Sequence, residues 1–167
     1  MTAVAHNGAQ PNPVPTMSAT APEPTRRGPE PRGAYAAFRP ITTRWMDNDV
    51  YGHVNNVVYY AWFDTAVNRF LIDAGTLDIA ASPVVGLVVE TGCRYHASVA
   101  YPDTVAIGLR VAHLGTSSVR YELAVFRNDE DVAAAEGHFV HVFVERGSQR
   151  PVAIPEAARA ILGRITV

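Results

Sequence analysis

Four runs of alternating apolar and polar side chains, joined by short turns over residues 86–145, restrict this chain more than any other feature. The second carries Val105, Ile107, Leu109 and Val111 at period two and meets Gly115. The third sets Val119, Tyr121, Leu123 and Val125 against Arg120 and Glu122 and closes at Asn128-Asp129. The first covers residues 86–98 and closes at Tyr101-Pro102-Asp103, and the fourth covers residues 132–145. That period puts one face of each strand in a core and the other toward solvent, and connections this short join antiparallel neighbours.

A different period precedes them. From residue 56 to 74, Val57, Tyr60, Trp62, Phe63, Ala66, Val67, Phe70, Leu71 and Ala74 cover most of a helical circumference, which predicts a buried helix. Asn55 or Asn56 suits its N-cap and Gly75 its stop. Asp64 and Asn68, four apart, make the polar stripe in its middle. Residues 35–46 read as a first extended segment, which Pro40 confines to a sheet edge or to the start of a strand. Residues 155–162 read as a short surface helix with proline near its start. Strand, long helix, four strands, short helix is an α+β order in which a sheet wraps one hydrophobic helix.

Composition narrows the chemistry. Residues 1–33 hold seven of the twelve prolines and almost no large apolar side chain, so they read as a disordered tail ahead of a domain over residues 34–167. A formal charge of -2 without a long basic run argues against a nucleic-acid partner. There is no lysine, which removes lysine Schiff-base chemistry. The single cysteine, Cys93, sits in a strand-like run and reads as a buried structural thiol. His138 and His141, three apart in a strand, point to opposite faces and cannot share a metal. No apolar run approaches the ~18 residues of a membrane span, and the first residues lack a signal-like apolar core, so the cytoplasm is the expected location.

The chemistry concentrates at the junction into the helix, Arg44-Trp45-Met46-Asp47-Asn48-Asp49-Val50-Tyr51-Gly52-His53-Val54-Asn55-Asn56. Carboxylates, a histidine and side-chain amides sit where backbone N–H groups lack intrahelical partners. This motif, with Tyr59, Asp64-Thr65-Ala66, Arg94-Tyr95, Gly115-Thr116 and Arg150-Pro151, resembles the signature of hotdog-fold acyl-CoA thioesterases of the 4-hydroxybenzoyl-CoA thioesterase type, over about residues 38–162. The resemblance implies a hotdog fold and hydrolysis of an acyl-CoA or acyl carrier protein thioester. It places Asp49 as nucleophile or general base, and the backbone N–H of Asn56 as the group polarising the thioester carbonyl. His53 supports catalysis, Asn55 and Asp64 border the substrate, and Asp47 is a structural neighbour. Some hotdog enzymes take the essential carboxylate from the helix, which makes Asp64 the reserve candidate. Val67 stands where the family often carries arginine. No metal or cofactor beyond coenzyme A in the substrate is implied, and the working unit is a homodimer or homotetramer.

Two rivals share the pocket, a hotdog hydratase or dehydratase and a non-catalytic acyl-thioester binding module. Asp47-x-Asp49-Val also matches the nucleophile motif of haloacid-dehalogenase-type phosphatases, but that motif needs a parallel sheet, which four consecutive strand-like runs contradict.

Overall fold

The computed structural model describes residues 28–167. Its strands β1 (Ala37–Thr42), β2 (Val84–Tyr95), β3 (Thr104–Leu114), β4 (Ser118–Arg127) and β5 (Ala135–Glu145) form one antiparallel sheet in the order β1-β3-β4-β5-β2. The alternating positions of β3 and β4 are buried, and they meet Trp62, Phe63, Ala66, Val67 and Leu71 of the helix α1 (Asn56–Asp73) in one apolar core. A second helix, α2 (Glu156–Gly163), adds Ala158 and Leu162 to that core. This is the α+β hotdog arrangement expected, and it excludes the parallel sheet of a dehalogenase-type phosphatase.

Three local features depart from the sequence reading. β1 is the edge strand that Pro40 requires, but it ends at Thr42 rather than running to residue 46. The Thr43 hydroxyl donates to the Asp103 carbonyl, and Trp45–Asp47 then turn as a 3-10 segment closed by the Asp47 carboxylate on Arg44 N–H at 2.8 Å. α1 is covered on one face only, so Val57 is 63% exposed and Asp64 points outward. Of the stretch read as a disordered tail, residues 1–27 lie outside the described residues. Residues 30–33 pack instead of dangling, because the sheet offers them partners. Pro31 bridges Val132, Arg32 N–H donates to Asp131 O at 2.7 Å, and the Arg32 guanidinium lies 4.7 Å from the Phe126 ring centroid. Next to them Tyr35, Ala124, Phe126 and Ala133 form a small second cluster of buried side chains, with Ala34 and Ala106 packed against it.

The two histidines of β5 diverge as the pleat demands. His138 reaches Glu90 at 3.0 Å, whereas His141 is 2% exposed and neither ring nitrogen has a hydrogen-bond partner. Its ring stands edge-on to buried Tyr121, with centroids 5.2 Å apart, and the Tyr121 hydroxyl is also unpartnered. Burial therefore depresses the His141 pKa from 6.5 to about 4. The unfolded chain binds this proton more readily than the folded one, so the contribution to stability is full above pH 6.5 and shrinks as pH falls toward 4. We expect a loss of roughly 3 kcal/mol across that window from this group. Urea titrations at several pH values will test it. In His141→Leu the slope should flatten with no loss at neutral pH, and an unchanged slope would refute the assignment.

Candidate active site

The junction between β1 and α1 folds as a closed loop. Asn48 and Val54 pair across it, Asp49 N–H donates to His53 O at 2.9 Å, and Gly52 takes φ +82°, a conformation that suits glycine. A second strap ties it to the segment after β2, because Val54 N–H donates to Val99 O at 2.7 Å and Tyr101 N–H to Asn48 Oδ1 at 3.0 Å. The loop is thereby held on both sides of Asp49.

Inside it the two aspartates divide. Asp47 is 1% exposed and its carboxylate is occupied by Arg44, with Nε at 3.0 Å and Nη2 at 2.8 Å. Its carbonyl accepts Asn55 N–H at 2.9 Å, so it holds the loop rather than facing a ligand. Asp49 keeps its side chain 19% exposed, and one oxygen is fixed by Tyr51 N–H at 2.8 Å. The other oxygen lies 3.8 Å from His53 Nδ1, beyond hydrogen-bond reach but close enough for the pair to interact electrostatically. His53 is stacked on Tyr51 at a centroid distance of 6.2 Å.

Asn55 is the N-cap of α1, and its Oδ1 accepts Val57 N–H at 3.1 Å. That leaves the first residue of the helix, Asn56, with a backbone N–H that finds no acceptor among the described residues. Free N–H groups at a helix start carry partial positive charge and suit an anionic oxygen.

Asp49, His53 and Asn56 line one cleft of about 490 Å³, together with Tyr51, Val54, Tyr59, Tyr95, His96, Ala97 and Ser98. Asn55 caps the helix beside it without lining it. Asp64 does not reach it. It lies two turns along α1, exposed, and accepts a hydrogen bond from Asn68 Nδ2 at 3.0 Å. Tyr95 and His96 come from the distant end of β2. His96 sits in the bend after the strand, with Nε2 2.7 Å from Glu136 Oε2. No local pattern around residues 95–98 points toward residue 49; only the pairing of β2 with β5 and the Val54–Val99 bond brings them together.

Cys93 is half-buried, and burial pushes its thiol up to about 11, so it is protonated and unreactive at neutral pH. Among the described residues no cluster of metal-ligating side chains occurs, and no helix is long and apolar enough to cross a membrane.

The family profile of the thioesterase-like superfamily matches residues 43–162. The chain is similar to the PA5185 protein of Pseudomonas aeruginosa strain PAO1, at 57% identity and a TM-score of 0.81 over 83% of this chain and 96% of that one. It is similar at 31% identity and a TM-score of 0.69 to the PA2801 protein of Pseudomonas aeruginosa, covering 74% of this chain and 95% of that one. The gentisyl-coenzyme A thioesterase BH1999 shares the fold, at 23% identity and a TM-score of 0.67 over 75% of this chain and 99% of its own. No match was found among curated proteins.

Proposed function

The chain belongs to the thioesterase-like superfamily, and from that premise we propose that it hydrolyses an acyl-CoA, or acyl carrier protein, thioester to a free acid and a thiol. One observation carries the reading. An anchored, partly desolvated carboxylate, Asp49, shares a cleft with an unpaired N–H at the start of an 18-residue helix. The thioester carbonyl oxygen accepts from Asn56 N–H, which stabilises the negative charge that builds there as the carbon becomes tetrahedral. The free oxygen of Asp49 either attacks that carbon or takes a proton from an attacking water. Collapse of the adduct expels the thiolate, which leaves as thiol after protonation; where Asp49 itself attacks, a water then cleaves the acyl–Asp49 anhydride, freeing the acid and restoring the carboxylate. His53, beside Asp49, orients the carboxylate or the water. Asn55 serves the substrate indirectly by fixing the helix start, and Asp64 is left as the reserve acid on the exposed face of α1.

The 4-hydroxybenzoyl-CoA type of the family is supported by the motif over residues 44–56. Aromatic acyl groups suit a cleft bearing Tyr51, Tyr59 and Tyr95, and a fold neighbour is named for gentisyl-coenzyme A. Thiol release from short-chain, long-chain and aromatic acyl-CoAs is the direct test. Steady turnover on at least one saturated or aromatic acyl-CoA is expected. Water addition to an enoyl-CoA without thiol release would identify a hydratase instead, and binding without turnover a carrier module.

The working unit under this reading is a homodimer or homotetramer. Supporting it, β2 closes the sheet with an edge that no other described strand pairs, and Leu87, Val88 and Val89 on it are exposed. A single-chain mass in sedimentation equilibrium at micromolar concentration would exclude this assignment.

A further inference from the structure

The first turn of a helix is its least secured part, because its N–H groups lack intrahelical acceptors and its residues fray. In this chain that turn is pinned from the sheet edge. Tyr95, the last residue of β2, points its side chain to the same side as Cys93, toward the start of α1. Its hydroxyl donates to the carbonyl oxygen of Asn56 at 3.3 Å. Its ring stands edge-on against buried Tyr59, one turn further along, at a centroid distance of 5.0 Å. Tyr59 in turn packs on Trp62 at 5.2 Å, so the contact continues into the core. Burial, with Cys93 and Tyr60 beside it, pushes the Tyr95 phenol upward, and the hydroxyl stays a donor throughout the neutral range.

We propose that Tyr95 is a positioning residue, which locks the Asn56 backbone against the sheet so that its N–H stays aimed into the cleft where Asp49 works. This rests on the thioesterase reading for its catalytic consequence, though not for the clamp itself. Tyr95 acts through Asn56, and its ring, which also walls the cleft, is a separate contribution. The scale is set by geometry: a misplacement of ~1 Å in a positioned group can cost about 10²-fold in rate. A hydroxyl bond of 3.3 Å supplies part of that constraint, and the Asn55 cap supplies the rest.

Tyr95→Phe removes the hydroxyl and keeps the ring against Tyr59. On the acyl-CoA that the wild type hydrolyses best, kcat should fall about 10-fold with KM within about 2-fold of wild type. The unfolding midpoint should be unchanged. Hydrogen exchange at the Tyr60 amide, whose acceptor within the helix is the Asn56 carbonyl, should accelerate, while amides in the last turns of α1 should not. Tyr95→Leu, which also removes the ring, should lose more of both. A rise in KM with kcat unchanged would make Tyr95 a substrate contact and overturn the proposal, as would wild-type kcat together with wild-type exchange at Tyr60. If the wild type releases no thiol from any acyl-CoA, the thioesterase reading fails, and the exchange experiment still decides whether Tyr95 holds Asn56.

Discussion

Asp49→Asn is expected to lower thiol release by at least ~100-fold, the scale of an essential acid–base group and equivalent to about 2.7 kcal/mol of lost transition-state stabilisation. The substitution is nearly isosteric. Its amide oxygen can still accept Tyr51 N–H, which holds the present carboxylate at 2.8 Å, so the loop should close as before. What disappears is the anionic oxygen on the open side of the group, whether it attacks carbon or removes a proton. Because the side chain is only 19% exposed and makes no ion pair shorter than 3.8 Å, the fold should lose little stability. Circular dichroism and the unfolding midpoint provide that control. Asp64→Asn should remain active, since Asp64 is exposed on α1 and does not line the cleft. Near-normal turnover by Asp49→Asn, with Asp64→Asn inactive, would move the catalytic carboxylate to the helix.

Asp49, His53 and Asn56 were legible together because they lie within one short loop and one helix start, where sequence neighbours are also spatial neighbours. The strands were legible for a similar reason. Val119, Tyr121, Leu123 and Val125 alternate against charged residues, and all four are fully buried. Residues contributed by other elements were not legible as parts of the site, although Arg94-Tyr95 stood among the signature pairs. Tyr95 and His96 enter the cleft only because β2 pairs with β5 and a bulge between Val88 and Glu90 resets which side chains face the helix. Before that bulge Gly86 faces His141, and after it Cys93 and Tyr95 face α1. A period-2 count along β2 cannot carry the assignment across such a shift. The packing of residues 30–33 was hidden differently. Proline-rich composition predicts little burial by those residues, but Arg32 gains its place from Phe126 and from the Asn128 and Glu130 carbonyls, all contributed by distant sequence. Asp64 shows the reverse error of locality, since sharing a helix with Asn56 does not place it on the same surface.

Gly137→Ala should be the most destabilising of the single-methyl additions open to this fold, at about 3 kcal/mol, near the upper end of ordinary overpacking costs. Gly137 lies in β5 between β4 and β2, opposite Leu123 and Cys93, on the face that carries α1. A Cβ there would collide with Phe63 Cε2 and lie 2.9 Å from the Gly92 carbonyl oxygen. Neither neighbour can yield cheaply. Phe63 is fully buried, edge-on to Phe139 at 6.2 Å and to Tyr60 at 6.5 Å, and the Gly92 oxygen is ladder backbone. A glycine costs a strand interior entropy and packing, so its presence here is offset by the close approach of helix to sheet that it allows. Gly92→Ala is the matched comparison, because its Cβ would meet only the ring of His138, which can rotate away, and the expected cost is about 1 kcal/mol. Urea unfolding of both variants reads the difference. Adding Phe63→Leu to Gly137→Ala should recover part of the loss, since the two changes act on one contact and will not add. Strict additivity in that double variant, or wild-type stability in Gly137→Ala, would show that helix and sheet are not held apart by this contact.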